Sequence, residues 1–181
     1  FCLSRGLGDV YKRQIVVSIF TGVAQGIQPI VSRSFGSGQM RHVKQIFHYG
    51  VITAAAFGLL FLGIGWFFSQ PIVGIFNQEN NLEMERLASQ GLPLYFLAFP
   101  MMGVNILASS YLASLSKGGP AFVLSVLRGA AAVIPAVLLL SRLFGITGVW
   151  LAVPCAEALT FLVFLAMLPF CFRRPQKGAG A

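Results

Sequence analysis

Long stretches of this chain carry almost no charge, and that limits the solvents in which it can fold. Residues 14–32, 45–78 and 87–116 contain no Asp, Glu, Lys or Arg, and residues 118–172 contain only Arg128, Arg142 and Glu157. A helix needs about 20 mostly apolar residues to cross the hydrocarbon core of a bilayer, so these windows are long enough. A soluble domain carries about 25% charged residues. Here 10% are charged and 56% hydrophobic, too few charges to cover a water-facing surface. The sequence predicts an all-α, polytopic membrane helix bundle.

The breakers set the number of spans. The first span is expected over residues 15–34, closed by Gly36-Ser37-Gly38, a turn signal. The second is expected to start near Val43 and run to about Ser69, where Pro71 and the polar run 77–81 end it. The third covers residues 87–116 and ends at Lys117-Gly118-Gly119-Pro120. The fourth covers residues 120–144, with Pro120 in a tolerated first-turn position. Gly145-Ile146-Thr147-Gly148 turns the chain into a fifth span over residues 149–172. A basic, Gly-ended tail, residues 173–181, follows.

Residues 1–14 read differently. The run Asp9-Val10-Tyr11-Lys12-Arg13-Gln14 resembles a translated adapter from sequencing libraries, so this segment is expected to be non-native and is set apart from the fold. Setting it apart removes three cations and one anion and lowers the formal charge from +8 to +6. The remaining basic residues alternate between loops. Arg33, Arg41, Lys44, Lys117, Arg128, Arg173, Arg174 and Lys177 fall on one side, and Arg86 and Arg142 on the other. This positive-inside pattern predicts a cytoplasmic C-terminus. It explains the net charge without nucleic acid, since the cations are not clustered with stacking aromatics. Cys2, Cys155 and Cys171 give no disulfide framework, and Cys155 and Cys171 read as small buried hydrophobes.

Polar groups within the spans are few. Gln25 and Gln28 share a face of the first helix. Asn105, Ser109 and Ser110 follow Pro100 in the third. Each could meet a substrate or hydrogen-bond across helices. Tyr95 joins Gln25, Gln28, Asn105 and Ser109 as the candidate substrate-binding set. Glu157 is the lone carboxylate inside a span, and an intramembrane charge is a functional hypothesis by default. Its possible roles are ion coupling, binding of a substrate cation, or an internal pair. Arg128, two turns from the cytoplasmic end, reads as an anchor that can snorkel. Pro29, Pro93, Pro100, Pro135 and Pro154 interrupt apolar text, as in helices that bend near transporter sites. His42 and His48 have no metal-ligand spacing around them. No Ser/His/Asp set, phosphate loop or Gly-x-Gly-x-x-Gly occurs, so nothing points to an enzyme, a metal or a cofactor.

Three stretches resemble the multidrug and toxic compound extrusion (MATE) family. The first is Gly22-Val23-Ala24-Gln25-Gly26-Ile27-Gln28-Pro29 through Phe35-Gly36-Ser37-Gly38. The second is Tyr111-Leu112-Ala113-Ser114-Leu115-Ser116-Lys117-Gly118 with Arg128 following, where Ser116 stands in place of the family's usual Gly. The third, and the most specific, is Ile134-Pro135, Phe144-Gly145-Ile146-Thr147-Gly148-Val149-Trp150, Pro154 and Glu157. The resemblance covers residues 15–172 and implies helices eight to twelve of a twelve-helix, two-lobed fold.

It further implies a multi-pass protein of the bacterial inner membrane. Such a protein exports cationic amphipathic drugs by alternating access, as an antiporter for Na+ or H+, with membrane lipid around it and an N-terminal lobe absent from this chain. The sequence departs from the family in a further respect. The third span has no acid where some members carry a coupling aspartate, so the resemblance does not give the coupling ion, and Glu157 is the ion-coupling candidate only as the carboxylate inside a span. A lipid-linked saccharide flippase of the same superfamily is the alternative, and a membrane-embedded enzyme a weaker one.

Overall fold

The computed structural model describes residues 2–76 and 82–171, so the polar run 77–81 and the basic tail lie outside the described residues. Among the described residues the chain is helical throughout. Its elements are α1 (Cys2–Gly36), α2 (Met40–Phe67), α3 (Ser69–Phe76), α4 (Leu82–Phe96), α5 (Phe99–Ser114), α6 (Gly118–Val126), a π-turn (Leu127–Ala131) and α7 (Val133–Cys171). α1 begins ahead of the expected start at residue 15 and passes through Gln14 without a break.

Four interruptions share one cause. A proline lacks the N–H that would bond the carbonyl four residues earlier, and its ring crowds that carbonyl. Pro71, Pro100, Pro120 and Pro135 place that defect at Phe67, Phe96, Ser116 and Ala131. These are the last residue of α2, the last residue of α4, the turn after α5 and the last residue of the π-turn. The wide turn is closed by the Ala132 N–H donating to the Leu127 carbonyl at 2.8 Å, a bond five residues back. The segment at Pro71, where the second span is expected to end, forms the short helix α3 because Pro71 sits in its first turn, where no N–H is required. The third expected span is accordingly two helices, α4 and α5, bent by 44°.

α7 reverses direction part-way. Gly145 adopts φ 59° and ψ −133°, which is not helical. Beyond it the Cα of Gly148 lies so close to the Leu140 carbonyl that an added Cβ would collide with that backbone. Eight residues of straight helix would separate these positions by about 12 Å. The chain therefore folds back as a hairpin. The 52-residue apolar stretch Gly118–Pro169 supplies both the fourth and the fifth expected spans. α2 and the bent α4–α5 pair are also long and apolar enough to cross a membrane. α1, less apolar, packs beside α2 and α5 as the remaining rod.

The bundle is built around α5, which contacts α1, α2, α6 and α7 and buries most of its residues from Phe99 to Leu112. α2 meets it through small residues. Gly50, Ala54 and Gly58 are buried at four-residue spacing, with Gly58 against the backbone of Pro100. Small residues let backbones approach closely in lipid, where burying large apolar groups brings no gain. The large apolar side chains point outward instead, among them Leu59, Leu60, Trp66, Phe67, Leu139, Leu143 and Leu162. Cys155 also lies on this exposed surface. That corrects its reading as a buried hydrophobe, because an apolar surface in lipid need not be covered.

Two helix ends use the same backbone motif with different residues. After α1, Gly38 takes φ 75° and the Gln39 N–H donates to the Ser34 carbonyl at 2.9 Å. After α5, Ser116 takes φ 57° and the Lys117 N–H donates to the Leu112 carbonyl at 3.1 Å. This is the Schellman closure, which favours glycine. A non-glycine residue in the left-handed region costs about 1–2 kcal/mol, partly offset by the greater entropy a glycine loses on folding. Ser116→Gly is therefore expected to raise stability by up to about 1 kcal/mol, read as a higher thermal midpoint in detergent.

Candidate functional site

The hairpin at Gly145 brings the two isolated span charges together. The Arg128 guanidinium, on the π-turn, donates from Nε to Glu157 Oε1 at 2.9 Å. Asn105, on α5, donates from Nδ2 to Glu157 Oε2 at 2.8 Å and to the Glu157 main-chain carbonyl at 2.9 Å. Each carboxylate oxygen thus has one donor. The amide orientation is fixed by chemistry, since both partners of Nδ2 are acceptors. The cluster joins three rods: α5, the π-turn arm and the returning arm of α7.

Burial is uneven across the cluster. Glu157 is 3% exposed, Asn105 1% and the Arg128 side chain 22%. The partial exposure of Arg128 is toward a cavity of about 310 Å³ lined by Ile106, Ser109, Ser110, Ser125, Arg128 and Gly129. Ser109 Oγ donates to the Asn105 carbonyl at 3.0 Å, so its lone pairs are left to accept. Asn105 Oδ1 is buried and has no hydrogen-bond partner among the described residues. The chemistry assembled here is one carboxylate, one guanidinium and several oxygen acceptors in an apolar surround. Such a set can hold a cation, or an internal substitute for one.

Of the residues singled out in the sequence, Asn105, Ser109 and Glu157 fall in this region. Tyr95 does not. It is half-buried, with its ring edge-on to Phe99 at 5.7 Å. Gln25 and Gln28 are exposed on α1, away from the cluster. Gln28 borders a void of about 10 Å³ beside Tyr111 and Ser114. Arg128 corrects its expected role, since its guanidinium turns to Glu157 instead of snorkelling to an interface. The sequence signal that could have found the pair was the turn between them.

Apolar rods with outward-facing large side chains, tied at the centre by a buried ion pair, define a polytopic helical membrane protein. The family is specific. A family model described as MatE matches residues 13–138, well over half of the sequence, and the chain belongs to that family.

The chain is similar to the multidrug export protein MepA of Staphylococcus saprophyticus, 25% identical over 150 residues, which is 83% of this chain and 32% of the relative. MepA of Staphylococcus aureus (strain NCTC 8325 / PS 47) is 26% identical over 154 residues, with the same coverage of 83% and 32%. Among solved structures, a point mutant of the Vibrio cholerae MATE transporter VcmN matches with a TM-score of 0.84 at 18% identity, over 94% of this chain and 38% of that one. VcmN in its bent form matches at 0.81 and 17% identity, over 92% and 37%. At these identities the structural likeness shows the fold. The chain spans about a third of the length of the curated relatives it matches.

Proposed function

We propose that this chain is the C-terminal lobe portion of a secondary active multidrug exporter. The whole protein expels cationic amphipathic compounds by alternating access, in exchange for Na+ or H+. It sits in a bacterial inner membrane with its C-terminus in the cytoplasm, and residues 1–14 derive from an adapter. The naming of its relatives as multidrug export proteins supports the substrate class. The basic bias of the loops around Arg33, Lys117 and Arg173 supports the orientation.

The observation that carries the coupling role is Glu157. It is a carboxylate 3% exposed inside an apolar bundle, hydrogen-bonded by groups from two other segments. Charges at membrane depth are costly and mark ion or substrate pathways. Gln25, Gln28, Tyr95, Asn105 and Ser109 are the substrate-facing set in this reading. A flippase for anionic lipid-linked sugars would need uncompensated positive charge. Arg128, the one charged residue lining the cavity, is neutralised by Glu157.

The test begins with the source DNA, read upstream of Gln14 to recover the full-length gene. About seven further apolar spans are expected. Ethidium efflux is then measured in a bacterium lacking its own exporters. Glu157→Gln is expected to slow ion-driven efflux by about 5- to 150-fold, the range of a lost coupling between sites. Undiminished efflux at equal expression removes Glu157 from the coupling role, and no efflux from the full-length protein removes the exporter reading.

A further inference from the structure

We infer that Arg128 is the resting occupant of a monovalent-cation site on Glu157, and that the coupling cation binds by displacing the guanidinium into the adjacent cavity. This inference rests on the proposed transport function and states how its ion site works. Four observations meet at one place. The carboxylate is 3% exposed and already has a cation against it, the Arg128 Nε at 2.9 Å. A second acceptor, Asn105 Oδ1, is buried beside the cluster without a partner among the described residues. Arg128 is the more exposed half of the pair and borders a cavity of about 310 Å³. Its backbone belongs to the π-turn Leu127–Ala131, a register defect of a kind common at functional sites.

The physical reason for such an arrangement is the cost of a bare carboxylate in an apolar interior, which is prohibitive without a partner. A carrier that must bind and release a cation passes through a state with no cation bound. A tethered guanidinium supplies the counter-charge in that state. When a Na+ or a proton arrives at Glu157, the guanidinium has somewhere to go. The serine-lined cavity can solvate it, and the wide turn holds one residue more than an α-helical turn. The exchange keeps the net charge of the buried site constant and couples ion entry to movement of the π-turn arm.

Among the described side chains, little else near Glu157 carries charge. Of the elements packed on α7, α5 and α6 contain no Asp, Glu, Lys, Arg or His, the π-turn contributes Arg128 alone, and α4 carries Arg86, whose side chain is exposed, with Glu83 and Glu85, whose side chains lie outside the described ones. Tyr111 of α5 stacks on Phe47, with ring centroids 4.2 Å apart. Along α7 itself, Arg142 lies beside the Gly145 turn, more than three helical turns from Glu157 in sequence.

The inference is tested in the full-length transporter, purified and reconstituted, with Arg128→Gln and Arg128→Lys. Thermal unfolding is followed against Na+ at fixed pH and, separately, against pH without Na+, which tells the two cations apart. Arg128→Gln keeps a hydrogen-bond donor for Oε1 but removes the competing charge. It should tighten the apparent affinity for the coupling cation by about tenfold, because the site is no longer self-occupied, while ion-driven efflux falls. Arg128→Lys should lie between Arg128→Gln and wild type, and its shift decides alone if Arg128→Gln does not fold. Adding Glu157→Gln to either variant should abolish the cation response. Unchanged or weaker cation affinity in both variants would make Arg128 a structural brace and overturn the inference. A response that survives Glu157→Gln would place the cation elsewhere and also overturn it. Loss of any cation response together with any efflux in wild type would instead defeat the proposed function itself.

Discussion

Arg128→Ala is expected to destabilise the bundle more than Glu157→Ala, and the double change less than either. Breaking a buried ion pair from one side costs about 3–5 kcal/mol, mostly the penalty of the charge left behind. The two sides are not equal here. Without Glu157, the Arg128 side chain, already 22% exposed, can turn into the cavity, so the loss should sit near the lower figure. Without Arg128, Glu157 at 3% exposure keeps only the Asn105 amide and, fixed within the bundle, cannot swing out as Arg128 can, so the loss should sit near the upper one. Removing both leaves no stranded charge. Replacing a buried ion pair by apolar groups is often neutral, and the double variant should regain most of the loss. The measurement is thermal unfolding of the full-length protein without Na+, as a double-mutant cycle. Additive losses would mean that the two side chains do not act as a pair.

The same cycle separates stability from transport. The double variant should be folded yet unable to couple, because it has neither the carboxylate nor its tethered counter-ion. A single variant that is both unstable and inactive cannot make that distinction.

Much of the fold was legible because lipid and proline write plainly in sequence. Charge-free windows located the rods, and Gly36-Ser37-Gly38 and Gly145-Ile146-Thr147-Gly148 located two turns. The breaks after Phe67 and Phe96 were less clear, although each stands four residues before a proline. Reading Pro71 only as a stop missed that it also suits the start of a helix, and so missed α3.

The site was only half legible. Asn105, Ser109 and Glu157 stood out as rare polar residues in apolar text. Their partner Arg128 was read by its distance from the membrane surface, not by its register across the hairpin. Arg128 lies 17 residues before Gly145 and Glu157 lies 12 after it. At 1.5 Å per residue these arms differ by about 7 Å, which a long guanidinium side chain and a widened turn can close. The π-turn itself has no signature beyond Pro135. Gln25 and Gln28 share a helix face as expected, but nothing in their spacing tells which neighbour that face meets.

The hairpin that assembles the site rests on two glycines, and their replacement should be the second large effect. Gly145 holds φ 59° and ψ −133°, a region essentially closed to side chains, so Gly145→Ala should cost about 1–3 kcal/mol in backbone strain. Gly148 fails for a different reason. Its dihedrals are helical, but a Cβ would run into the Leu140 carbonyl, which is backbone and cannot change rotamer. Overpacking of this kind costs about 1–3 kcal/mol. Either change pushes the two arms of α7 apart, and the Arg128–Glu157 contact is the first interaction to lengthen. Both variants should therefore show weakened ion coupling as well as lower thermal midpoints, although neither residue touches the site. Gly63 is the matched control. A Cβ there meets nothing within 4 Å. Gly63→Ala should be neutral or stabilising by up to about 1 kcal/mol, because alanine is the better helix former. If Gly148→Ala behaves like Gly63→Ala, the close approach at Leu140 is not what holds the arms together. If Gly145→Ala and Gly148→Ala lose stability but keep full coupling, the arms can separate without disturbing the ion pair. The pair would then be held by α5 through Asn105 rather than by the hairpin.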